Sequence, residues 1–343
     1  MAIEFCKKLF TIIQIMNAII ILLMPFIFSF LSSPIAKWVG YRFELIDYPS
    51  SRKIHSSPTL KSGGIMVLTG YIAGAFILGA FWWQITIPII LIFITGILGD
   101  KDILGPKRRL LLQLIIALLF IILADAIVKD LKLFQLPLYL SVPFTILGIA
   151  GLTNAYNIID GMNGLVSFTG IIALITIGII GNLYGNDYIL IHALIFSSSI
   201  GAFLFFNLRG KLFLGDAGSY MIGFMVGSLS VVVASKVPHL SPYAFFLNSM
   251  IPIFDTLFSI WRRKRLRRDP FQADRRHFHH MLSRRYKSRT RSLIVLILIQ
   301  IVLSSLAIIF HNNTILLIAF IFIAMAFLRR LWFKRIKVGG LII

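Results

Sequence analysis

The sequence predicts an all-α polytopic membrane protein, a bundle of about 11 transmembrane helices. Three observations carry that reading. Of 343 residues, 58% are hydrophobic and 14% charged, where soluble domains hold roughly 45–50% apolar and about 25% charged residues. The mean hydropathy of +0.90 excludes both a soluble globular fold and a disordered chain. The apolar residues also fall in runs close to the ~20 residues that span a bilayer. About 11 such helices use roughly 220 residues, so residues 1–343 form one integral membrane domain without room for a separate soluble one.

The runs lie near 9–31, 64–83, 85–99, 110–128, 136–153, 164–183, 188–207, 219–237, 243–261, 292–310 and 314–332. The first follows Lys7 and Lys8 as a signal peptide would. It is longer than a signal peptide's apolar core, and no small-residue cleavage site precedes Ser32, so it reads as a retained helix. The remaining runs are separated by loops whose charge alternates. Lys37, Arg42, Arg52, Lys53 and Lys61 follow the first run; Lys101, Lys107, Arg108 and Arg109 follow the third; Arg209 and Lys211 follow the seventh. A dense basic stretch fills 262–291, and Arg329, Arg330, Lys334, Arg335 and Lys337 follow the last run. The intervening loops at 82–84, 181–187 and 311–313 have no Lys or Arg. Basic loops stay in the cytoplasm, so the N-terminus lies outside and the C-terminus inside.

The net charge of +21 is therefore topological, with attraction to anionic lipid added at 262–291. That stretch has few aromatic residues, which argues against nucleic acid. The single cysteine, Cys6, excludes an intramolecular disulfide and a cysteine-based metal centre.

With only 13 acidic residues, each position is informative. Asp100 and Asp102 end the third run; Asn154, Asn157, Asp160 and Asn163 end the fifth; Asp216 follows the seventh; His277, His279 and His280 follow the ninth. Asp255 lies about 9 Å before Trp261 along its helix. All converge on the cytoplasmic face, which places the active site there. Helix ends attract single polar residues anyway, but that does not explain the Asn-x-x-Asn-x-x-Asp-Gly-x-Asn-Gly cluster at 154–164. Oxygen donors from several helices suit a hard divalent cation, Mg²⁺ with Mn²⁺ as the alternative, and a cationic rim suits pyrophosphate chemistry.

Together the motifs resemble the polyprenyl-phosphate N-acetylhexosamine-1-phosphate transferases, the undecaprenyl-phosphate GlcNAc-1-phosphate transferase group of glycosyltransferase family 4. The resemblance runs over about 47–282. It comprises Asp47-x-Pro49-x-x-Arg52-Lys53-x-His55-x-x-Pro58 with Gly63-Gly64; Gly99-Asp100 through Pro106 and Arg109; and Asn154-x-x-Asn157-x-x-Asp160-Gly161-x-Asn163-Gly164. Phe213-x-Gly215-Asp216-x-Gly218-Ser219, Pro252-x-x-Asp255 and Asp274-x-x-His277-x-His279-His280 complete it. The resemblance implies transfer of a sugar 1-phosphate from a UDP-N-acetylhexosamine to undecaprenyl phosphate within the lipid bilayer, with release of UMP. A homodimer is one assembly option.

By the same resemblance, Asp216 is the Mg²⁺ ligand and Asn157 a second contact. Asp160 and Asn163 belong to the nucleotide side, Arg109 faces the diphosphate, and 277–280 lies near the sugar and phosphates. Lys61, Asn154 and Arg276 join the substrate-binding candidates, and Asp100, Asp102, Asp160, His277, His279 and His280 the catalytic ones. The family usually has Asp-Asp where this chain has Gly99-Asp100, often Asp where it has Asn163, and in one branch a third consecutive histidine where it has Phe278. If the third helix continues far enough, Asp102 shares a face with position 99 and restores the missing carboxylate. Two other readings are a transporter or flippase of lipid-linked sugar, which would place polar groups at the midplane, and a catalytically inactive relative.

Overall fold

The computed structural model describes residues 19–48, 57–265, 277–333, 337–338 and 341–342. The chain is an all-α polytopic bundle, and the apolar runs fold as helices because a bilayer requires each backbone polar group to be satisfied within its own segment. In order these are α1 (Ile19–Arg42), α2 (Gly63–Ile77), α3 (Trp83–Asp100), α4 (Pro106–Ala124), α5 (Leu138–Ile158), α6 (Leu165–Leu183), α7 (Asp187–Asn207) and α8 (Gly215–Lys236). There follow α9 (Tyr243–Asn248), α10 (Met250–Arg265), α11 (Phe278–Tyr286), α12 (Arg289–Ile309) and α13 (Thr314–Phe333). Among the described residues, eight are long and apolar enough to cross a membrane: α1, α3, α5, α6, α7, α8, α12 and α13. At about 22 Å, α2 is shorter than the hydrocarbon core, and α4 carries Lys107, Arg108 and Arg109 in its first turn.

Three elements differ from the sequence expectation. The first helix runs past residue 31 to Arg42, with a turn at Ser32. The ninth run is broken at Ser249 into α9 and α10. Pro252 explains the break: it lacks an N–H, and its ring displaces the carbonyl four residues earlier, that of Asn248. Gln300 of α12 takes over that carbonyl, its Nε2 donating at 2.6 Å, while Ser304 donates to Asn248 Oδ1 at 2.7 Å. Third, the histidine segment forms a short helix, α11.

At the centre stands α8, almost wholly buried and packed against α2, α3, α5 and α6. Its approach to α3 is backbone on backbone, because a Cβ on Gly96 would lie 2.2 Å from Ala217 Cα. A pair of two-residue strands, β1 (Ile46–Asp47) and β2 (Thr59–Leu60), covers the same end, with Asp47 opposite Thr59. Alternate helices thus bring the C-termini of α1, α3, α5, α7 and α10 and the N-termini of α2, α4, α6, α8 and α12 to one end of the bundle. Gly96→Ala is expected to force α3 off α8 and cost about 1–3 kcal/mol, read as a lower midpoint of thermal unfolding in detergent.

Candidate active site

The N-terminus of α8 is held in place by the backbone. Phe213 N–H donates to Leu60 O at 2.8 Å, Gly63 N–H to Phe213 O at 2.9 Å and Gly64 N–H to Leu214 O at 3.1 Å. These bonds fix 213–216 against β2 and α2, and so fix Asp216 in the first turn of α8. Asp100, the last residue of α3, accepts from Ala217 N–H at 3.3 Å. Lys61 Nζ lies 3.3 Å from Asp47 Oδ1 and 4.0 Å from Asp100 Oδ1. Arg109 donates to Asp216 through Nη1. From α5, Asn157 reaches Asp216 and also accepts from Ser219 Oγ at 2.8 Å.

These groups open onto a cavity of about 680 Å³. Its carboxylates are Asp47, Asp100, Asp160 and Asp216; its amides Asn157, Asn163 and Asn207; its basic groups Lys61, Arg209, His280 and Arg289. Burial, and then the charges of Asp216 and Asp100, push the Asp160 carboxyl up to about 8, with Lys61 opposing. Burial would lower the Lys61 ammonium, but Asp100 and Asp47 outweigh it and raise it overall. Burial, and then His279 and His277, hold the His280 ring down at about 3, so it is a neutral imidazole at physiological pH.

Asp255 organises the histidines from behind the cavity. Its Oδ1 accepts from Phe278 N–H at 2.9 Å and lies 3.3 Å from His277 Nδ1; its Oδ2 lies 3.5 Å from His279 Nδ1. Ser259 Oγ bridges Asp255 and His277. His279 packs on the 160–164 turn so closely that a Cβ on Gly161 would lie 2.2 Å from its Nε2. His280 packs at a tilt against His279 and faces the cavity.

Of the residues singled out in the sequence, the cavity therefore gathers Lys61, Asp100, Asn157, Asp160, Asn163, Asp216 and His280. His277 and His279 stand behind it, and Arg109 reaches it through Asp216. Two other positions lie apart from the cavity. Asn154 turns away to Gln113 of α4 and to Ala150 O, outside the cavity lining. Asp102 does not share a helical face with position 99, because α3 ends at Asp100 and Asp102 is exposed with a left-handed φ of 56°. Arg276, Arg52, Lys53 and His55 lie outside the described residues.

Asn207, Arg209 and Arg289 were not foreseen. Asn207 accepts from Gly164 N–H at 2.7 Å and donates to Leu212 O at 3.0 Å, tying together the two loops that flank the cavity. An amide at the end of an apolar run was its only signal.

The donor set fits a hard divalent cation. Among the described residues, no three His, Cys, Asp or Glu side chains cluster as a protein-only metal cage. Two carboxylates, Asp100 and Asp216, with the Asn157 amide suit Mg²⁺, which keeps several of its waters. Burial raises Asp160 most, and the charges of Asp216 and Asp100, which add to it, are what a cation would offset.

The sequence model of the family described as glycosyl transferase family 4 matches residues 82–234. A probable undecaprenyl-phosphate N-acetylglucosaminyl 1-phosphate transferase of Bacillus subtilis (strain 168) is 33% identical over 313 residues, 87% of this chain and 86% of that protein. The chain belongs to glycosyl transferase family 4. An undecaprenyl-phosphate alpha-N-acetylglucosaminyl 1-phosphate transferase of Escherichia coli O157:H7 is 27% identical over 85% of this chain and 82% of its own. A decaprenyl-phosphate N-acetylglucosaminephosphotransferase of Mycolicibacterium smegmatis (strain ATCC 700084 / mc(2)155) is 27% identical over 76% of this chain and 75% of its own. The family match extends from α3 through most of α8, the segment that carries Asp100, Arg109, Asn157, Asp160 and Asp216.

Asp160 makes a prediction in the cation-free protein. Its carboxyl titrates near 8 when folded and near 4 when unfolded, so the unfolded chain loses its proton first. Stability therefore falls as pH rises from about 4 to about 8 and levels off above. Asp160→Asn is expected to flatten that dependence and raise the melting temperature at pH 8 by roughly 2–4 °C per kcal/mol relieved. Differential scanning fluorimetry across that pH range checks it.

Proposed function

We propose that the chain transfers an N-acetylhexosamine 1-phosphate from a UDP-sugar to undecaprenyl phosphate, giving undecaprenyl-diphospho-sugar and UMP, the first step of a cell-envelope glycan. The observation that carries the reading is one cavity holding Asp100, Asn157, Asp160, Asp216 and Lys61 in a membrane bundle of this family. The cavity opens at one end of the bundle, whereas a transporter's site is expected near the midplane. The Lys and Arg distribution supports a cytoplasmic cavity, N-terminus outside and C-terminus inside. Eleven crossings follow if α2, α4 and the broken α9–α10 pair also span.

A phosphate oxygen of the lipid attacks the β-phosphorus, which bears the sugar. The bond from that phosphorus to the bridging oxygen breaks, and UMP leaves with the oxygen. Asp216, Asn157 and Asp100 would hold Mg²⁺, which when bound neutralises charge on the diphosphate. The lipid brings its own nucleophile, so the protein supplies mainly position and charge. Lys61 adds positive charge at the carboxylate end. Asp160 and Asn163 face the nucleotide side, Asp160 retaining its proton until a cation arrives. Neutral His280 can donate one hydrogen bond toward sugar or phosphate, held in place by Asp255 through its neighbours.

Purified protein in nanodiscs, given UDP-GlcNAc, undecaprenyl phosphate and Mg²⁺, is expected to release UMP and lipid-linked product. A panel of UDP-N-acetylhexosamines covers the choice of sugar; no product with any of them would defeat the reading and leave an inactive relative. Asp216→Asn and Asp100→Asn should each lower turnover about 10²–10³-fold, while exposed Asp102→Asn should leave it within a few-fold. For Asp255→Asn, which touches the histidines but not the cavity, a loss of about 10- to 100-fold is expected, with the apparent Mg²⁺ requirement unchanged.

A further inference from the structure

We infer that Arg109, admitted by the missing side chain at Gly99, competes with the divalent cation for Asp216 and so sets the metal affinity of the site. The inference rests on Asp216 as a metal ligand. A Cβ built on Gly99 would lie 2.8 Å from Arg109 Cδ, 3.0 Å from its Nη1 and 3.2 Å from Asp216 Oδ2. The arm of Arg109 therefore crosses the last turn of α3 through the space that a side chain at 99 would fill. Any larger residue there would push the arm aside.

Arg109 is well placed to hold this contact. Its N–H is bonded to Gly105 O at 3.1 Å in the first turn of α4. One turn later, Gln113 is anchored to Asn154. The guanidinium bonds Asp216 Oδ2, while its buried Nε has no hydrogen-bond partner among the described residues. Another basic group nearby, Lys61, makes its close contacts with Asp47 and Asp100 and acts on Asp216 only at longer range. A cation approaching Asp216 from the cavity thus meets a carboxylate with one oxygen already committed to a charge-assisted hydrogen bond. Arg109 is a positioning residue in the cation-free state, and once displaced it sits beside the place where diphosphate charge accumulates.

The test uses Mn²⁺ as the probe, with bound and unbound ion distinguished by electron paramagnetic resonance, on full-length protein in nanodiscs without substrate. Asp216→Asn should abolish the strongest site. Arg109→Met should tighten Mn²⁺ binding about tenfold, the scale of one charge-assisted hydrogen bond. Gly99→Ala alters no charge but displaces the arm, and should shift affinity in the same direction. Arg108→Met, which removes an equal charge from an exposed neighbour, should change it less than about twofold. If the wild type binds at Asp216 yet neither Arg109→Met nor Gly99→Ala tightens binding, this inference falls alone. Equal tightening by Arg108→Met and Arg109→Met would also overturn it, since bulk charge would then explain both. Absence of any Asp216-dependent binding in the wild type would overturn the metal assignment as well.

Discussion

The site depends on one backbone arrangement, the hydrogen bonds that fix 213–216 between β2 and the N-terminus of α2. A helix N-terminus leaves its first N–H groups unpaired within the helix. Here one of them, Ala217 N–H, is taken by Asp100 at 3.3 Å. The clamp therefore brings the end of α3 and the start of α8 together, carboxylate beside carboxylate. Gly96, three residues before Gly99, makes the same contact possible through packing, since it lets the two helices touch at the backbone. Loosening either the clamp or the packing would separate Asp100 from Asp216 before any side chain at the site was altered.

Bringing carboxylates together in a poorly solvated place is costly, and the surroundings show how the cost is met. Lys61 sits between Asp47 and Asp100, Arg109 lies on Asp216, and Asp160 keeps its proton. Each solution is local. The histidines follow a different logic. Asp255 is almost wholly buried at 1% exposure and serves to hold His277 and His279, leaving His280 to meet the cavity. Buried polar groups are thus divided between those that line the cavity and those that hold others still.

The sequence made the bundle legible because hydropathy and bilayer thickness constrain helices strongly. It marked the site through scarcity: in so apolar a chain, Asp100, Asp160 and Asp216 stand out. It could not tell which way a polar residue turns. Asn154 and Asn157 are three apart on α5, yet one bonds α4 and the other reaches α8, because the direction depends on neighbours from distant segments. Nor could spacing locate the end of α3, on which the expectation for Asp102 turned. The break at Ser249 was foreshadowed by Pro252, but its stabilisation came from Gln300, a single amide inside an apolar run. Arg289 was hidden in a basic stretch whose composition satisfied the topological rule without it.

Under the proposed function, one cavity at one end of the bundle receives both nucleotide and cation. An electron cryo-microscopy map of the protein in nanodiscs with UDP-GlcNAc and Mg²⁺ tests it most directly. Diphosphate density is expected at the Asp100 and Asp216 end, with the uridine toward Asp160 and Asn163. Nucleotide density outside this cavity, or within it but remote from Asp216, would contradict it.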